Sequence, residues 1–147
     1  MENKVKGVFH CDYLIKEFED IKRHLEAFKK LKKNWNSYGA KPIDPKAIEL
    51  AEITAIYIID YLVNCESYCI APTAEGGVAI QIDLDCGIDE SDKYCPRLKK
   101  LLLIEIYKDE IKIFLFDDIR KESKMETFAQ MISLFEIKKY LEDFFEL

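Results

Sequence analysis

Apolar residues recur every three or four positions along the first part of the chain and at every second position along much of the rest. From about Asp12 to Lys33 they fall at Leu14, Phe18, Ile21, Leu25 and Phe28, with charged residues between, which predicts an amphipathic helix. A second helix is predicted from Pro45 to about Asn64. Asp44 is placed to cap its free amides, and Pro45 takes the first helical position, where a missing N–H costs nothing. Ile48, Ala51, Ala55, Ile59 and Leu62 make one face of this helix, and Ile53, Ile56, Tyr57 and Val63 a second. Two apolar faces predict a central helix buried on most sides.

The pattern then changes period. Tyr68-Cys69-Ile70-Ala71 is a short strand ending at Pro72. In Val78–Asp85, Val78, Ile80, Ile82 and Leu84 alternate with Gln81, Asp83 and Asp85, a strand with one wet face. Leu101–Tyr107 and Ile111–Phe116 flank Lys108-Asp109-Glu110, a connection short enough to require an antiparallel hairpin. Met125–Phe145 reads as a last helix, with Phe128, Met131, Ile132 and Phe135 on one face and Ile137, Leu141, Phe144 and Phe145 continuing it. Consecutive strands without intervening helices predict one α+β domain over residues 1–147. It has two layers, an antiparallel four-stranded meander under helices, in the order ααββββα.

Composition narrows the class. With 147 residues, 49% hydrophobic and 34% charged, the chain has the make-up of one folded domain with a full core. Its 22 basic against 28 acidic residues give a net charge of -6, which argues against binding a phosphate backbone. The lysines Lys29, Lys30, Lys32 and Lys33 suit the negative end of a helix dipole. Ala47–Val63 is apolar but holds Glu49, Glu52 and Asp60, so a membrane span is not expected. Five cysteines, an odd number, and a start without an apolar leader (Met1-Glu2-Asn3-Lys4) point to free thiols in a cytoplasm.

The most conspicuous segment is Asn34-Trp35-Asn36-Ser37-Tyr38-Gly39-Ala40-Lys41-Pro42-Ile43-Asp44-Pro45. Trp35 and Tyr38 bring large amphipathic rings, Gly39 a backbone angle other residues resist, and two prolines a stiff exit. The structural expectation is a rigid connection in which Trp35 and Tyr38 plug the core between helix and sheet; the functional one is an aromatic binding edge. With Ala71-Pro72-Thr73-Ala74-Glu75-Gly76-Gly77-Val78 further on, this segment resembles a widespread family of small uncharacterised bacterial proteins. That family carries a Trp-Asp-Ser/Gly-Tyr-Gly-Ala segment and a later Pro-Thr-x-Asp/Glu-Gly-Gly turn. The resemblance covers roughly residues 34–84 and the hairpin after them, and it departs at Asn36, where the family usually has Asp. It implies a shared fold and transfers no catalytic residue.

Other chemistry is incomplete. Gly76-Gly77 feeds a strand, whereas a phosphate loop needs a helix N-terminus behind its glycines. Asp83, Asp85, Asp89, Glu90 and Asp92 form an acidic stretch that fails the calcium-loop pattern, since Tyr94 stands where the bidentate Glu belongs. Asp83, Asp85 and Glu105 are a weak divalent-metal set; Glu105 and Lys108 miss a nuclease spacing by one residue. Cys65 and Cys69 are the one close cysteine pair, and His10 and His24 the only histidines, too few for a zinc site or a Cys–His hydrolase. The reading is a noncatalytic protein-interaction module, of the kind an inhibitor, antitoxin or immunity factor of a bacterial conflict system is. It requires no cofactor, has a protein partner and leaves homo-oligomers open. Its binding residues would be drawn from Trp35, Tyr38, Asp83, Asp85, Asp89 and Glu90. The alternative is a divalent-metal-dependent enzyme, or a small-molecule or nucleotide sensor.

Overall fold

The computed structural model describes residues 2–65, 67–88, 97–117, 122–129 and 133–145, and side chains for 13–65, 67–84, 100–117, 122–127 and 135–144. The elements run α1 (Glu2–Phe28), α2 (Pro45–Tyr57), α3 (Ile59–Asn64), β1 (Ser67–Pro72), β2 (Val78–Ile88), β3 (Arg97–Ile106), β4 (Glu110–Asp117), β5 (Glu122–Ala129) and α4 (Ser133–Phe145). The expected α+β meander is present, but with five strands, in the order β1-β2-β3-β4-β5 and antiparallel throughout.

The fifth strand corrects the expected Met125–Phe145 helix, whose first turns are strand. Glu122–Ala129 has only two large apolar residues, Met125 and Phe128, so it shows no alternation of its own. Its conformation comes from backbone pairing with β4, in which Phe114 faces Met125 and Ile113 faces Glu126. Met131 and Ile132, also assigned to that helix, lie outside the described residues. The first helix is longer and earlier than expected and ends at Phe28, so the lysines that follow lie beyond it.

The second helix starts where expected, with the Lys46 amide donating to Asp44 Oδ1 at 2.8 Å, but it does not run unbroken to Asn64. Ile58 (φ -108°, ψ 11°) divides it. One turn earlier the Thr54 hydroxyl donates back to the Leu50 carbonyl at 2.7 Å, a bond that bends helices. Nor is it buried on most sides: Ile53, Ile56 and Tyr57 are exposed.

All the helices contribute to one core on one face of the sheet. Ile21, Leu25 and Phe28 of α1, Ile48, Ala51 and Ala55 of α2, Leu62 of α3 and Ile137, Leu141 and Phe144 of α4 pack there. They meet Val78, Ile80, Ile82, Leu102, Ile104, Ile106, Ile111, Ile113 and Leu115. These strand residues alternate with half-buried or exposed neighbours, as the pleat requires. On the same inner face lies the buried pair Lys100 and Asp117, directly opposite each other in register. Their charged atoms are 3.7 Å apart, and each side chain is 2% exposed. Lys100 Nζ also donates to the Phe144 carbonyl at 3.2 Å, which ties the end of α4 to the sheet. Among the described residues no helix is long and apolar enough to cross a membrane.

Candidate functional site

The Asn34–Pro45 segment folds on itself. Asn34 (φ 66°), Ser37 (φ 64°) and Gly39 (φ 85°) adopt left-handed backbone, and side chains hold the resulting amides in place. Asn34 Oδ1 accepts from the Gly39 amide at 2.7 Å, and Asn36 Oδ1 from Tyr38 at 2.8 Å and Ala40 at 3.1 Å. These bonds need only a side-chain oxygen, which Asn36 supplies as an Asp would. Trp35 is half-buried against the core, and its Nε1 donates to the Lys41 carbonyl at 2.8 Å. Tyr38 corrects the expectation of a paired plug. It is 92% exposed, so Trp35 alone packs inward.

The two segments that carried the family resemblance meet. The Lys41 amide donates to the Ala74 carbonyl and the Asp44 amide to the Gly76 carbonyl, each at 2.9 Å. The turn between β1 and β2 closes through Thr73, whose hydroxyl accepts from the Gly77 amide at 2.9 Å. Gly77 has no room for a side chain, since a Cβ there would sit 2.6 Å from the Ile106 carbonyl oxygen and 2.7 Å from the Tyr107 ring. The glycines therefore serve close backbone approach.

Beside this junction is a cleft of about 1080 Å³ lined by Lys41, Pro42, Asp44, Glu75, Glu105, Tyr107 and the tip of the β3–β4 hairpin. Four of its ionisable groups engage one another. The Tyr107 hydroxyl donates to Glu105 at 2.6 Å, and Lys112 lies 3.7 Å from Glu110 and 5.5 Å from the Tyr107 ring centre. Partial burial, reinforced by the Glu105 carboxylate, pushes the Tyr107 phenol up to about 12, so it stays protonated at neutral pH.

The acidic residues occupy the other face of the sheet, turned away from the helices. Asp83 is half-buried there, with Gln81 3.3 Å from its Oδ2. Glu105 shares this outer face but stands opposite Ala79, four residues along β2 from Asp83, a separation of about 13 Å at strand rise. The backbone of Asp85 lies in β2 beside a register shift at Gly87; its side chain, and Asp89 and Glu90 entirely, lie outside the described residues. Among the described residues no three His, Cys, Asp or Glu side chains converge on a metal position.

The outer face shows a feature that the sequence reading missed. Register aligns Asp83, Leu101, Phe116 and Ser123 in one row, and Gln81, Leu103, Phe114 and Met125 in the next. Among the described residues no helix packs on these rows. Not one of these eight positions is buried, and Phe116 and Met125 are 48% and 59% exposed. The signal was present in Leu101-Leu102-Leu103 and Phe114-Leu115-Phe116, where apolar residues fill both strand faces instead of alternating. Such runs read equally as strands covered on both sides, and only the topology shows that the described helices leave one side uncovered. Comparison of the chain with protein-family models, with curated proteins and with solved structures found no match.

Proposed function

We propose that the chain is a noncatalytic protein-binding module that docks a basic partner through the open face of its sheet. The observation that supports this is the apolar surface formed by Leu101, Leu103, Phe114, Phe116 and Met125, on the side of the sheet away from the helices. Phe116 and Met125 are exposed and Leu101, Leu103 and Phe114 half-buried, and a contiguous apolar patch left accessible in this way commonly marks a docking site. Asp83 at its margin and a net charge of -6 supply the field that favours a cationic partner. A small acidic protein that covers a partner's surface acts as inhibitors, antitoxins and immunity factors do. The hydrogen bonds between the Trp35–Pro45 and Ala71–Val78 segments also support membership of the small bacterial family they resemble, because such a pair of motifs would be kept together.

The test is affinity capture from extracts of the source organism with the wild-type chain and with Phe116→Asp/Met125→Asp. Both side chains are solvent-exposed, so the double variant is expected to fold. A discrete basic protein retained by the wild type, lost by the variant and weakened by salt is the expected result. Equal capture by both chains, or no discrete partner, would overturn the proposal.

A further inference from the structure

The two strands that close the sheet have differently built edges. β5 carries Glu122, Lys124 and Glu126, all exposed, and charges of this kind discourage a further strand from pairing. β1, Ser-Tyr-Cys-Ile-Ala-Pro, carries no charge. Its ladder also fixes which backbone groups face outward. In the turn after β1, the Thr73 amide donates to the Gly77 carbonyl at 2.9 Å, so Thr73 points its backbone at β2. Alternation along an antiparallel pair turns Cys69 and Ala71 the same way. The amides and carbonyls of Tyr68 and Ile70, and the carbonyl of Pro72, then point away from the sheet. Proline has no N–H to miss at such a position. Among the described residues no backbone hydrogen bond outside the ladder engages these groups.

Helix α1 lies along this edge. Glu17, Ile21, His24 and Ala27 fall on one side of the helix and face Tyr68 and Ile70 across a groove of about 660 Å³. Ile21 and Ile70 give it an apolar floor. The end near Ser67 is acidic. Glu17 lies there and accepts a hydrogen bond from the Tyr68 hydroxyl. The charges of Asp83 and Glu17 add to burial in pushing the nearby Cys65 thiol up.

We propose that the groove between α1 and the free edge of β1 binds an extended peptide segment of a partner protein, which pairs with β1 as an added strand, lays alternate apolar side chains over Ile21 and Ile70, and sets a basic side chain against Glu17. A strand is the occupant these groups specify, because its amides and carbonyls repeat at the two-residue spacing of Tyr68, Ile70 and Pro72. The acidic end selects its charge. This site is separate from the outer face and does not depend on it.

The probe is a displayed library of random twelve-residue peptides selected on the full chain, with enriched peptides measured individually by fluorescence polarisation. Enriched sequences should alternate apolar residues beside a lysine or arginine. Ile70→Pro deletes an outward amide without touching the ladder to β2 and should weaken binding about tenfold, whereas Phe116→Lys on the outer face should leave it unchanged. Ile70→Pro can also disturb packing, so a second measurement keeps the wild-type chain and N-methylates the peptide one amide at a time. Losses at every second amide are expected. No enriched sequence, methylation losses without a two-residue period, or binding that Phe116→Lys abolishes would each overturn the proposal; the last would transfer the peptide to the open face.

Discussion

Lys100 and Asp117 give the sharpest energetic expectation. Both side chains are 2% exposed, they face each other across β3 and β4, and Lys100 also holds the Phe144 carbonyl at the end of α4. Lys100→Met keeps much of the aliphatic length but takes the Lys100 ammonium away from the buried Asp117 carboxylate. Removing one partner of a buried pair typically destabilises by about 3–5 kcal/mol, whereas replacing both is often close to neutral. At roughly 0.05–0.15 kcal/mol per residue, the whole fold is stable by an amount only a few times larger. The variant should therefore fold with a melting temperature lower by about 10 °C. In Lys100→Met/Asp117→Asn a neutral carboxamide that can still hydrogen-bond replaces the carboxylate, and at least half of the loss should return. Urea unfolding followed by Trp35 fluorescence and by circular dichroism measures all the chains. A loss under about 1 kcal/mol for Lys100→Met, or a double variant as unstable as the sum of the singles, would refute the reasoning.

Trp35→Ala should lower stability by about 2–3 kcal/mol in urea unfolding followed by circular dichroism alone, since the variant lacks the one tryptophan; this is below the usual loss for a fully buried ring because Trp35 is half-exposed, while Tyr38→Ala should change stability by less than about 0.5 kcal/mol. Tyr107 is raised from 10.0 to about 12, so the folded state holds its proton more tightly than the unfolded state does. The stability this adds is complete below pH 10 and is lost as pH rises towards 12. Tyr107→Phe should accordingly flatten the fall in the urea midpoint over that range, and an unchanged slope would count against the Glu105 contact. Cys69 is exposed, whereas Cys65 is half-buried with its thiol pushed up by desolvation. Mass spectrometry after brief treatment with a thiol reagent at pH 8 should find Cys69 modified well before Cys65.

How much of this was legible in the sequence depended on whether a residue's role was local. The Asp44-Pro45 helix start, the alternation of Val78–Leu84 and the hairpin at Lys108-Asp109-Glu110 rest on bonds between near neighbours, and the structure has each of them. β5 was invisible because it is mostly polar and takes its conformation from β4. The exposure of Ile53, Ile56 and Tyr57 could not be read either, since an apolar helix face looks the same whether or not another element covers it. The open face belongs to the same class. Leu101, Leu103, Phe114 and Phe116 announced strands, but which of the described elements packs over them is a property of the assembled layers. Asn36 is the opposite case: a departure from a familiar motif that the fold absorbs, because both of the amides it accepts need only an oxygen.

The most direct test of the open face as a docking surface is site-specific photocrosslinking in the source cell. A photoreactive phenylalanine would replace Phe116, with Phe135, 64% exposed on α4, as the control position. The account expects one discrete heterologous adduct from position 116 and none from position 135. The same adduct from both positions, or none from 116, would contradict it.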